Sequence, residues 1–166
     1  MSDETENERE YKAFAKRLDD SSFGVFIVAA WFHKNKRTVR IPPTHIRPFH
    51  EKAEKHADNG DLFVEDKDGV ESLIEVKHLS RNFTSLEDWP FKDMIVSNAG
   101  SVERRRGQVK SYIMLSKDAN HIAILMCDTM DQWWKEKRFA HNTQREEHYY
   151  VCDPALCKFI SIEGKK

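Results

Sequence analysis

The stretch GDLFVEDKDGVESLIEVKHLS, residues 60–80, reads as two strands around an acidic turn, and its second strand sets Glu75 and Lys77 among apolar neighbours. Side chains alternate between the two faces of a strand, so Glu71, Leu73, Glu75, Lys77 and Leu79 share one face while Val70, Ser72, Ile74, Val76 and His78 share the other. Glu75 and Lys77 are therefore neighbours on one side of a sheet. Whether Asp61 joins them depends on the turn, because a slip of one residue reverses every side chain of its strand. A two-residue Asp68-Gly69 turn would set Asp61 across from Val76. A three-residue loop, Lys67-Asp68-Gly69, instead pairs Asp66 with Val70, which sets Asp61 across from Glu75 and Glu65 across from Glu71. Aspartate at the first turn position and glycine at the left-handed position favour this second register.

Outward from the hairpin, residues 6–18 place Tyr11, Phe14, Ala15 and Leu18 at the spacing of an amphipathic helix. Asp19-Asp20-Ser21-Ser22 reads as a break, with Ser21 or Ser22 capping a second segment through Val25, Ile27, Val28, Trp31 and Phe32. That segment fits a helix or a buried strand. Residues 37–41 alternate like a strand that Pro42-Pro43 ends. A short charged helix is expected over 49–57 and an irregular stretch over 81–92. Strands are expected at 112–115 and 122–126, joined by the polar Lys117-Asp118-Ala119-Asn120 turn, then a helix at 129–138 and strands at 149–151 and 159–162. Helices first, then mostly strands with helices between them, predict an α/β sheet with helices packed on it.

At 166 residues the chain has room for one ordinary domain. A hydrophobic fraction of 39% with 33% charged residues describes a soluble globular protein with a charged surface. A formal net charge of -1 argues against a histone-like polycation, yet a local basic track can coexist with an acidic site. The first residues are acidic and lack the pattern of a secretory signal, and the apolar run at 23–32 is too short to span a bilayer, so a soluble, cytoplasmic protein is expected. Three cysteines, Cys127, Cys152 and Cys157, fit reduced thiols better than a disulfide framework. His148, Cys152 and Cys157 invite a zinc reading, but no second ligand pair accompanies them.

Carboxylates directly across a ladder repel, so Asp61 facing Glu75 calls for positive charge nearby. A cation of the Mg²⁺ type takes oxygen ligands from one or two carboxylates and keeps exchangeable waters. Lys77, beside Glu75 on the same face, would orient an attacking water.

Asp61 followed by Glu75-Val76-Lys77 on the next strand resembles the PD-(D/E)XK nuclease superfamily, with Gly60 standing where the motif's name has proline. The resemblance covers at most residues 22–133 and implies that the family's second helix falls at 101–110. It implies a restriction-endonuclease-like fold: a single α/β domain with a central mixed β-sheet flanked by helices, here residues 22–166 preceded by a helical extension over 1–21. It also implies metal-dependent hydrolysis of phosphodiester bonds. Asp61, Glu75 and the Val76 carbonyl would hold Mg²⁺ or Mn²⁺, and Lys77 would position the water. The acidic residue often carried by the family's first helix has no counterpart within residues 25–32, leaving Glu51 or Glu54 to supply it. Gln108 and Tyr112 match a Gln-x-x-x-Tyr pattern of exonuclease-like members, which makes Gln108 an accessory candidate.

Arg104, Arg105 and Arg106, with Lys110 just beyond, form the densest basic cluster and are the candidates for neutralising nucleic-acid phosphates. Trp133-Trp134, followed by Lys135, Lys137 and Arg138, offers rings for stacking on bases. Other chemistries lack residues: His50-Glu51 begins like a zinc-protease helix, but Glu54 stands where the second histidine must be, and there is no phosphate loop or nucleophile elbow. The expectation is a Mg²⁺-dependent nuclease acting on DNA, with RNA and a homodimeric state left open and no membrane partner. The alternative is a catalytically silent nucleic-acid-binding or protein-interaction domain that keeps the same fold.

Overall fold

The hairpin forms in the three-residue register. In a computed structural model, which describes residues 6–43, 60–141 and 143–163, Leu62 pairs with Ile74 and Glu65 with Glu71. The Asp66 N–H donates to the Val70 carbonyl at 3.0 Å, while the Asp66 carboxylate accepts from the N–H groups of Asp68 and Val70, both at 2.9 Å. Gly69 takes a φ of 79°, the left-handed region that only glycine enters without strain.

In chain order the elements are α1 (Glu6–Lys34), β1 (Thr38–Arg40), β2 (Leu62–Glu65), β3 (Glu71–His78), β4 (Met94–Asn98), α2 (Ala99–Arg104), β5 (Val109–Leu115), β6 (His121–Met126), β7 (Trp134–Ala140), β8 (Arg145–Cys152) and β9 (Lys158–Ser161). The larger sheet has six strands in the order β1-β2-β3-β5-β6-β9, all neighbours antiparallel except the parallel pair β3–β5. It is a mixed sheet in a single α/β domain. A parallel pair cannot be joined by a tight turn, and here the crossover from β3 to β5 contains β4 and α2. β4 then joins β8 and β7 in a second, three-stranded antiparallel sheet.

Alternation along the central strands builds two cores. Ile74, Val76, Ile113, Leu115 and Ile122 point to one side and meet Val25, Val28 and Ala29 of α1. Leu73, Tyr112, Met114, Ala123 and Leu125 point to the other and meet Met94, Val96, Val102, Tyr150 and Cys152. The larger sheet is therefore covered by a helix on one face and by the smaller sheet, with α2, on the other. Gly24 marks a close approach of α1, where an added Cβ would lie 3.1 Å from His78 Cβ.

Several sequence expectations are overturned. The break at residues 19–22 is absent: α1 runs unbroken through it. Aspartate and serine are weak helix formers, but neither stops a helix as proline does, and the following turns are held by packing on the sheet. The helix expected at 129–138 is instead a 3-10 turn, Cys127–Gln132, followed by β7. Its lysines and arginine carry no local strand signal; pairing with β8 supplies it, with Lys137 in an ion pair to Glu146 across the strands. The helix at 101–110 is the shorter α2, and β5 begins at Val109. β4 was not foreseen, and a sheet stands where a second layer of helices was expected. The helix expected over 49–57, with Glu51 and Glu54, lies outside the described residues.

Residues 79–93 contain no regular element, yet they are held firmly. Asp88 accepts hydrogen bonds from the Thr84 and Ser85 N–H groups, both at 2.8 Å, which lower its carboxyl to about 2. Phe83 is buried against Trp89 and Phe159, with ring centroids 5.0 and 5.8 Å away.

Candidate active site

The register continues one place past Leu62 and sets Asp61 opposite Glu75. Asp66 donates to the Val70 carbonyl, so alternate residues of the second strand (72, 74 and 76) turn their N–H and C=O groups toward β2. Val76 is the last of these. β2 has ended there, and the Val76 N–H donates instead to Asp61 Oδ2 at 2.8 Å. The Val76 carbonyl leaves the same edge of the strand, on the side of the Asp61 carboxylate.

Gly60 explains how the chain delivers Asp61 to this place. It is buried with a φ of 97°, and a Cβ there would sit 2.2 Å from Leu73 Cδ1. Proline, locked near a φ of about -65°, has no access to this conformation. The departure from the motif's name is thus a backbone requirement of this hairpin.

Lys77 follows Glu75 on the same face. It is only partly exposed, and desolvation of its ammonium lowers its pKa to about 8, while the charges of Glu75 and Asp61 act in the opposite direction. The structure therefore brings Asp61, Glu75 and Lys77 together on the face that looks toward the smaller sheet.

Two further side chains complete the cluster. Glu75 Oε1 is ion-paired with the guanidinium of Arg105, whose side chain is 20% exposed against 18% for Glu75. Tyr112 reaches the site through an irregularity: Leu73 pairs with Val109 but Ile74 pairs with Ser111, so Lys110 is an extra residue in β5. Without that bulge Ser111 would stand beside Glu75; with it, Tyr112 does. Burial above all, then Cys127 and Glu75, raises the Tyr112 phenol far above its ordinary pKa, so it stays protonated. Neither contact follows from the local sequence, where the Gln-x-x-x-Tyr spacing made Gln108, not Tyr112, the accessory candidate.

The other basic residues of the cluster diverge. Arg104 turns back to Ser101 Oγ at 3.2 Å and Arg106 reaches the Tyr150 hydroxyl at 3.4 Å. Lys110 is exposed on the bulge, and Gln108 is exposed in the preceding turn, its N–H donating to the Arg105 carbonyl at 2.9 Å. Trp133 is a core residue, and Trp134 is exposed on β7. The second acidic pair, Glu65 and Glu71, is relieved by Arg40, which binds Glu71 with two nitrogens and lies 4.1 Å over the Phe63 ring. The zinc reading finds no cluster: His148 is exposed on β8, Cys152 is buried, and the Cys157 sulfur lies 3.2 Å from the Met94 sulfur.

Among the described residues, no group of three or more histidine, cysteine, aspartate or glutamate side chains is arranged to hold a metal. Asp61 and Glu75 are a pair, so further ligands to a cation between them would come from the Val76 carbonyl and from water. That donor set is all oxygen, which suits a hard cation such as Mg²⁺. Among the described residues, no helix is long and apolar enough to cross a membrane. Comparison with protein-family models, with curated proteins and with solved structures gives no match to this chain.

Proposed function

We propose that the protein is a Mg²⁺-dependent nuclease that hydrolyses DNA phosphodiester bonds at Asp61, Glu75 and Lys77. The observation that carries this reading is the convergence of two carboxylates and a desolvated lysine on one face of a hairpin whose turn sets their register. The order of elements supports it. A helix, three antiparallel strands, an intervening helix and a strand parallel to the third is the arrangement that a restriction-endonuclease-like fold calls for, and the chain has it with β4 added to the crossover.

Asp61 and Glu75 would hold the cation with the Val76 carbonyl. When bound, the cation supplies charge neutralisation at the phosphate and a more acidic water. Asp61 is oriented by the Val76 N–H, which donates to its Oδ2. Lys77 orients the water that attacks phosphorus, and its lowered pKa reduces the cost of handling a proton near neutrality. Arg104, Arg106 and Lys110, all exposed around the turn between α2 and β5, would contact the nucleic-acid backbone.

The rival reading, a catalytically silent nucleic-acid-binding or protein-interaction domain, draws on the Arg105–Glu75 pair, which neutralises the carboxylate a cation would need. Plasmid and single-stranded DNA incubated with the protein in Mg²⁺, Mn²⁺ or EDTA separate the two. The nuclease reading expects cleavage that EDTA abolishes and that Asp61→Ala and Lys77→Ala lose. DNA binding without cleavage, unchanged by Asp61→Ala, would establish the silent domain instead.

A further inference from the structure

The Arg105–Glu75 pair joins two segments 30 residues apart in the chain. Glu75 belongs to the third strand of the larger sheet, whereas Arg105 stands in the turn between α2 and β5. The backbone of Arg105 is anchored without its side chain: its N–H donates to the Ser101 carbonyl at 3.2 Å, and its own carbonyl accepts from Gln108 and Val109. The guanidinium can therefore leave Glu75 while the turn stays in place. Lys77 lacks that freedom, since it is rooted on the same strand as Glu75 and partly buried. Facing carboxylates need a counter-charge whenever no cation is bound, and the guanidinium pairs through Oε1 with the carboxylate that would hold a cation.

Resting on the metal-site reading above, we propose that Arg105 is a built-in, exchangeable counter-ion: its guanidinium holds Glu75 until a divalent cation takes that carboxylate. Metal binding and the ion pair then compete, and the pair sets the metal concentration at which the site fills. Such competition also protects the hairpin from its own charge repulsion in the metal-free state.

The full-length protein, freed of metal, would be titrated with Mn²⁺ by calorimetry as wild type, Arg105→Gln and Glu75→Gln. In parallel, the Arg105 side-chain Nε–H resonance of the wild type would be followed during Mg²⁺ addition. The proposal expects Arg105→Gln to bind Mn²⁺ about tenfold more tightly, the scale of one charge-assisted hydrogen bond. It also expects Glu75→Gln to lose binding and the Arg105 resonance to shift in step with site occupancy. Unchanged or weaker Mn²⁺ affinity in Arg105→Gln, with an Arg105 resonance that Mg²⁺ leaves in place, would overturn the counter-ion and keep the metal site. Binding insensitive to Glu75→Gln, or absent from every protein, would remove the metal site and the counter-ion together. If Arg105→Gln does not fold, the wild-type resonance titration decides by itself.

Discussion

Desolvation disfavours the charged form of a lysine, and Lys77 sits where its ammonium loses water faster than Glu75 and Asp61 can compensate. Its pKa falls from 10.5 to about 8, which has a definite consequence for stability. Below about pH 8 native and unfolded chains both hold the proton, and the native state bears the full cost of the buried charge. Between about 8 and 10.5 the unfolded chain keeps a proton that the native chain has released, so stability rises with pH through that window. Lys77→Met should therefore raise the stability of the metal-free protein at pH 7, by roughly 2 kcal/mol once screening of a partly exposed side chain is allowed for. The rise between pH 8 and 10.5 should vanish with it. Denaturant unfolding of both proteins in EDTA across pH 6 to 11 checks this; a Lys77→Met protein less stable than wild type at pH 7 would mark the lysine as a structural ion-pair partner.

The hairpin shows how local backbone chemistry governs a whole element. Gly69 and Gly60 both lie at positive φ, 79° and 97°, but their surroundings differ. A Cβ at Gly69 would meet nothing closer than Glu65 Oε1 at 3.7 Å, whereas one at Gly60 would collide with Leu73 Cδ1 at 2.2 Å. Gly69→Ala should thus cost only the conformational penalty, about 1 kcal/mol. Gly60→Ala adds overpacking against a buried leucine and should cost about 3 kcal/mol in total. The second substitution should also weaken the Asp61 to Val76 hydrogen bond, seen as faster exchange of the Val76 amide, while Gly69→Ala leaves that amide protected. Equal stability losses from the two glycines would contradict the close packing of Gly60 on Leu73.

Each central strand serves two cores at once. In β5 and β6, Ile113, Leu115 and Ile122 pack toward α1, and Tyr112, Met114, Ala123 and Leu125 pack toward the smaller sheet. Neither layer can loosen without exposing strands the other needs. Leu125→Ala, at a fully buried position between the sheets, should cost about 3 kcal/mol. Unfolding in urea should remain a single transition, with tryptophan fluorescence and far-ultraviolet circular dichroism superimposable. Trp133 and Trp89 report from the core between the sheets and Trp31 from the α1 side, so separate transitions would show that the two layers unfold independently.

The hairpin register, and with it the alignment of Asp61 with Glu75, was legible in the amino-acid order because a turn is a local object: an aspartate, a glycine and the count between them suffice. So were the cores of β5 and β6, whose apolar runs need no partner to be recognised. α1 was legible as helix but not as one helix, since the aspartates and serines at 19–22 weaken it locally while packing of its later turns lies elsewhere in the chain. Of the smaller sheet only the strand at 149–151, part of β8, was legible: β7 is mostly charged, and its strand character comes from ladder bonds and ion pairs to β8. The same holds for the partners of Glu75. Arg105 arrives from the crossover and Tyr112 through a one-residue bulge, and both depend on how separate segments stack, a matter of contacts between distant residues that no short stretch of chain encodes.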